Sequence, residues 1–125
     1  MENTSKTINV LVGDDEIGVE GSLQRRSFVR NYEGLANFEY ATTPKEFIRQ
    51  ASTKKYDCII TDLNYTHNNQ EGFEVLRQVK GMAPIIILHT SDETAMENEL
   101  DAGATHFMQK GRRAEILENI LKGVK

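Results

Sequence analysis

Reactive side chains stand directly after several apolar segments of this chain. The apolar run 58–60 leads through Thr61 to Asp62, and the run 10–12 leads through Gly13 to Asp14 and Asp15. His89, Thr90 and Ser91 follow the apolar residues 84–88 in the same way, and Lys110 follows residues 105–109, a less apolar segment. An aspartate at the end of a strand is most often a cap or a turn residue. An acid pair, a third acid and a lysine in this order are a much more specific signal.

The chemistry of this set depends on whether the strand ends meet. Three carboxylates brought together repel one another, and burying them without compensation is costly. A bound divalent cation usually neutralises such a cluster of carboxylates, and oxygen ligands favour a hard ion such as Mg²⁺ or Mn²⁺. With Lys110 as a second positive charge, the set suits attack of a carboxylate on phosphorus while cations neutralise the phosphoryl oxygens.

The elements that must bring these residues together alternate between strand and helix. Strands are predicted at residues 7–12, 38–41, 84–88 and 105–109 and in a segment ending at Asp62. Helices are predicted at 17–29, 72–80, 94–102 and 114–122, and one more begins at 43–46, where Thr43 can cap and Pro44 fits the first turn. This order predicts an α/β fold: a five-stranded parallel, doubly wound sheet of flavodoxin-like order 2-1-3-4-5 with helices on both faces. All the reactive strand ends would then lie at one edge.

Composition limits the classes of function. The chain has 125 residues, and we expect one free-standing domain over residues 1–125. A net charge of −4 argues against direct nucleic-acid binding. The single cysteine, Cys58, lies in an apolar segment, which indicates a small buried side chain and a reducing, cytoplasmic location. The polar N-terminus does not look like a signal peptide, and no apolar run approaches the length of a membrane span.

From about residue 7 to residue 122, the sequence resembles a response-regulator receiver domain of two-component signalling, similar to the single-domain chemotaxis type. The resemblance rests on VLVGDDE (10–16), YDCIITDL (56–63), GFEVL (72–76), APIIIL (83–88) and DAGA (101–104), followed by Phe107 and Lys110. It implies a protein that is not a conventional enzyme but catalyses its own aspartyl phosphorylation and dephosphorylation. The phosphoryl donor would be a histidine kinase or a histidine phosphotransfer protein, and a downstream protein of unknown identity would bind the switched face.

The resemblance also assigns the acceptor and its cation. Asp62 would be the phosphoacceptor and a ligand of Mg²⁺. Asp15 would bind Mg²⁺ directly, and Asp14 directly or through water. The backbone carbonyl of Asn64 would complete the protein's share of the ligands.

Lys110 would pair with Asp62 or with its phosphoryl oxygens, and Phe107 would change rotamer on activation. The family also places a Ser or Thr hydroxyl at the end of the fourth strand. Counting from Pro84 gives His89 at this position, so either His89 replaces the hydroxyl or the loop presents Thr90.

Two other readings compete with the phosphorylatable switch. A pseudo-receiver would act as a protein-binding module without phosphotransfer, and it is favoured by the His89 position and by a loop after Asp62 that is two residues longer than usual. A metal-dependent phosphatase on a similar sheet would need a second aspartate two residues after the nucleophile, where this chain has Asn64.

Overall fold

The structure, a computed structural model, is a parallel sheet covered by helices on both faces. It describes residues 8–14, 17–32, 34–62, 69–90, 103–109 and 114–122, without the side chains of Asp62, residues 69–73, Thr90, Phe107, Gln109 and Ala114. Five strands form one sheet in the order β2-β1-β3-β4-β5. The strands are β1 (Asn9–Gly13), β2 (Asn37–Ala41), β3 (Cys58–Asp62), β4 (Ile85–Thr90) and β5 (His106–Gln109). All four pairings are parallel, so the predicted fold class and strand order are confirmed.

Four helices are described: α1 (Leu23–Tyr32), α2 (Pro44–Thr53), α3 (Asn69–Val79) and α4 (Ala114–Leu121). α2 begins where its capping signal predicted, because the Thr43 side chain accepts a hydrogen bond from the Glu46 backbone N–H. The helix predicted at 94–102 lies outside the described residues. No helix in the described ranges is long and apolar enough to cross a membrane.

Two apolar layers hold the sheet, one on each face. Leu11, Ile59 and Ile86 face the layer that α2 and α3 cover. Their neighbours along the same strands, among them Val12 and Ile60, face the layer that α1 and α4 cover. Since successive strand residues point to opposite faces, strands covered on both sides need apolar residues at every position. Cys58 belongs to the second layer, fully buried, and burial raises the pKa of its thiol.

Several predicted boundaries were wrong. α1 begins at Leu23 rather than at residue 17, because residues 17–22 form turns, with Gly21 at a φ of +83°. α3 begins at Asn69 rather than at residue 72, because a polar first turn carries no apolar periodicity to detect. β4 extends beyond residue 88 to Thr90, since His89 and Thr90 continue the ladder with β5.

Candidate functional site

The carboxyl ends of β1, β3 and β4 place three of the predicted site residues in a row. β1 and β3 are neighbours, and Gly13 pairs with Thr61. Asp14 directly follows Gly13 and Asp62 directly follows Thr61, so the two aspartates occupy equivalent places on the two strands. On the other side of β3, Asp62 pairs with His89. Neighbouring strands lie about 4.8 Å apart, so the three backbone positions are adjacent at this edge. This is the switch point at which parallel sheets of this order bind ligands.

Asp14 is a buried acid in a fixed conformation. It is 1% exposed, and its Oδ1 accepts a hydrogen bond from the Ile17 backbone N–H at 3.0 Å. The Asp14 backbone N–H donates to the Ala41 carbonyl at 3.1 Å, and its carbonyl accepts from the Gly18 N–H at 2.9 Å. The carboxylate is therefore part of a closed turn attached to the end of β2.

His89 is buried at the same edge. It is 3% exposed, and its ring lies edge-to-face with Phe28 of α1, with 6.1 Å between the ring centroids. The Phe28 ring also contacts Tyr32, Phe38 and Tyr40 in the same geometry. His89, not Thr90, is thus the β4 residue in register with Asp62, whereas Thr90 pairs with Gln109.

The other predicted site residues fall outside the described part of the chain. Asp15, Asn64 and Lys110 are in this group, as are the side chains of Asp62, Thr90 and Phe107. Among the side chains that are described, no group of three or more His, Cys, Asp or Glu residues could hold a metal ion. The roles assigned to these residues stay predictions.

Comparison with known proteins assigns the chain to a family. The model of the response regulator receiver domain matches residues 10–122, which is nearly the whole chain. The chain belongs to the response regulator receiver domain family. No curated protein sequence matches this receiver domain.

Solved structures agree with this family. The chemotaxis protein CheY4 of Vibrio cholerae is similar with a TM-score of 0.73 and 25% identity, covering 96% of this chain and 100% of that one. A response regulator from Thermotoga maritima has a TM-score of 0.74 at 18% identity, covering 95% and 98% of the two chains. The receiver domain of a sensor histidine kinase from Pseudomonas aeruginosa, solved with magnesium in its active-site cleft, has a TM-score of 0.74 at 18% identity, covering 94% and 97%. These last two likenesses show the fold alone.

Arg25 is a residue of this receiver domain that sequence reasoning misjudged. Two adjacent arginines such as Arg25 and Arg26 usually form a solvated face, and Arg26 is indeed exposed. The Arg25 guanidinium, however, donates from Nε to the Ile17 carbonyl at 2.6 Å and from Nη2 to the Gly18 carbonyl at 2.8 Å. It also lies 3.6 Å from the centre of the Tyr40 ring on β2. Burial raises the pKa of the Tyr40 phenol, and the Arg25 charge partly opposes this rise.

Gly18 is held in a very close packing position within the same turn. A Cβ added there would lie 2.7 Å from both the Ala41 and the Asp14 carbonyl oxygens, and 2.8 Å from Thr42 Cγ2. Only glycine allows this approach of the turn to the end of β2. In the sequence, Gly18 is only a poor helix former inside the predicted helix 17–29. Its close contact is made with the end of β2, which is distant in the chain and leaves no local signal.

Proposed function

We propose that this receiver domain takes up a phosphoryl group on Asp62 in the presence of Mg²⁺ and thereby switches a face that binds a partner protein. The observation that carries the proposal is the position of two aspartates at the carboxyl edge of the sheet. Buried Asp14 directly follows β1, and the backbone of Asp62 ends the neighbouring strand β3. A carboxylate oxygen of Asp62 would attack phosphorus, forming a P–O bond as the P–N bond of a phosphohistidine breaks. The histidine nitrogen of the donor keeps the bonding electrons and takes up a proton.

The residues at this edge fit a hard cation. Asp14 is a carboxylate removed from water, and such a group favours a compensating positive charge. Asp14, Asp15, Asp62 and the Asn64 carbonyl would hold Mg²⁺, an all-oxygen set. When bound, the cation supplies positive charge for the phosphoryl oxygens. Lys110 would add a second charge there, and Phe107 would respond to the switch.

The donor and the location are proposed on the same basis. A histidine kinase or histidine phosphotransfer protein would deliver the phosphoryl group in the cytoplasm. The output would be a contact with a downstream protein rather than with nucleic acid, in keeping with the net charge of −4.

Amide NMR with beryllofluoride, a mimic of the phosphoryl group, tests the proposal. With Mg²⁺ present, we expect large shifts at Thr90, Phe107 and Lys110 in the wild-type protein and none in Asp62→Asn. Mg²⁺ shifts near Gly13 without any response to beryllofluoride would contradict phosphoryl uptake and favour a pseudo-receiver. No response to either addition would favour a protein-binding module that uses neither ligand.

His89 is expected to contact the phosphoryl group, because it is the β4 residue in register with Asp62. His89→Leu keeps apolar bulk against Phe28 but removes the ring N–H donor. One hydrogen bond to a charged group is worth about 1.5–3 kcal/mol, so beryllofluoride affinity should fall about tenfold or more. Thr90→Ala is the matched control and should leave the affinity unchanged. The reverse result, a loss in Thr90→Ala alone, would assign the contact to the Thr90 hydroxyl.

A further inference from the structure

We propose that Arg25 is a positioning residue for the cation site: it holds the turn that orients the Asp14 carboxylate. The inference rests on the proposed function, because it assumes that Asp14 helps to bind a divalent cation. It assigns a role at the site to a side chain on α1, ten residues beyond the acid pair.

A continuous set of hydrogen bonds links Arg25 to Asp14. The Ile17 backbone N–H donates to Asp14 Oδ1, and the carbonyl of the same residue accepts from Arg25 Nε. The next carbonyl, that of Gly18, accepts from Arg25 Nη2, while the Gly18 N–H donates to the Asp14 carbonyl. The guanidinium therefore holds Ile17 and Gly18, two residues whose N–H groups bind Asp14.

The guanidinium itself has little freedom to move. Its Cζ lies over the Tyr40 ring, and the start of α1 is capped by Ser22, whose Oγ accepts from the Arg25 backbone N–H at 3.0 Å. Tyr40 lies on β2, one residue before Ala41, whose carbonyl accepts from the Asp14 N–H. The planar fork of an arginine can bind two successive carbonyls and stack at the same time, which a lysine ammonium cannot do.

The direction in which cation affinity changes when Arg25 is removed distinguishes a positioning role from a purely electrostatic one. Removing a positive charge near an acidic site strengthens cation binding by Coulomb's law. If Arg25 instead positions the carboxylate, its loss weakens cation binding even though the local charge becomes more favourable. Residues that orient metal ligands are worth about 10–100-fold in metal affinity, and Arg25 acts through one intervening residue, so we expect about tenfold.

Binding of Mn²⁺, followed by the electron paramagnetic resonance signal of the free ion, measures this effect without any phosphoryl transfer. We expect Arg25→Ala to weaken Mn²⁺ binding about tenfold and Arg25→Lys to recover only part of the loss. Arg26→Ala is the matched control, since it removes the neighbouring exposed charge, and it should leave binding unchanged or slightly tighter. Tyr40→Phe keeps the stacking face and should bind as the wild type does, whereas Tyr40→Leu should bind more weakly.

The outcomes distinguish this inference from the function on which it rests. Unchanged or tighter Mn²⁺ binding in Arg25→Ala, with the wild type binding normally, would overturn the positioning role alone. A fall in thermal stability at constant Mn²⁺ affinity would do the same, because Arg25 would then be merely structural. Equal losses of Mn²⁺ affinity in Arg25→Ala and Arg26→Ala would also overturn it.

Failure of the wild-type protein to bind Mn²⁺ would instead remove the proposed cation site. If Arg25→Ala does not fold, Arg25→Lys and the Tyr40 pair decide the question.

Discussion

Asp62→Asn is expected to abolish phosphoryl uptake from a small donor such as acetyl phosphate. An amide oxygen is not an effective nucleophile, and removing the nucleophile of a covalent reaction costs at least roughly a thousandfold in rate. The mass of the intact protein after incubation with donor and Mg²⁺ gives the fraction phosphorylated. We expect a shift of one phosphoryl group in the wild type and none in the variant.

Asp57→Asn is the matched control, because Asp57 immediately precedes the same strand at its opposite end. Asp62 is five residues further on, roughly 16 Å along an extended strand. Asp57 has a structural contact, in which its Oδ2 accepts from the Asn9 backbone N–H at 2.9 Å, and an amide oxygen can still accept there. This variant should be phosphorylated as the wild type is. Full phosphorylation of Asp62→Asn, or loss in both variants, would contradict the assignment of Asp62.

Gly18→Ala is expected to lower the free energy of unfolding by about 1–3 kcal/mol, the usual cost of overpacking. The added Cβ would meet two backbone oxygens at 2.7 Å, and neither can move without disturbing the end of β2 or the Asp14 turn. Urea unfolding followed by circular dichroism measures the change. Mn²⁺ affinity should fall as well, because the displaced atoms belong to the turn that orients Asp14.

Gly21→Ala is the control within the same segment. Gly21 has a positive φ of 83°, but an added Cβ meets nothing within 4 Å. Its substitution should cost the left-handed backbone strain of about 1–2 kcal/mol, with no added clash, and should leave Mn²⁺ affinity unchanged. A smaller loss of stability in Gly18→Ala than in Gly21→Ala would show that the turn can yield, and would contradict the close packing.

The architecture could be predicted well because it depends on local signals that repeat along the chain. Apolar β-branched runs such as 58–60 mark strands buried on both faces, and a cap such as Thr43 marks where a helix starts. The alternation of such elements limits the topology to a few handed arrangements. The boundary errors, at Leu23 and Asn69, arose where a glycine-containing turn lay inside an apparent helical pattern or where a first turn was polar.

The candidate site was only partly predictable. Asp14 and Asp62 could be assigned to one edge, since all parallel strands end there, and the register confirms their adjacency. The choice between His89 and Thr90 could not be made from composition. The choice depends on how far the hydrogen-bonded pairing of β4 with its neighbours extends. The register of β3 and β4 places His89 opposite Asp62.

The sequence by itself determined the fold class and the strand order, because hydrophobic periodicity and the order of elements are local properties of the chain. It also indicated the family, because the motifs that carry the resemblance are read directly from the sequence. Only the tertiary structure decided which groups Arg25, Gly18 and His89 contact. Arg25 has the same local signal as the exposed Arg26, and it differs only because α1 turns it toward the Ile17 and Gly18 carbonyls and the Tyr40 ring. Such contacts join different elements of the fold, and their energies depend on distances that no sequence pattern encodes.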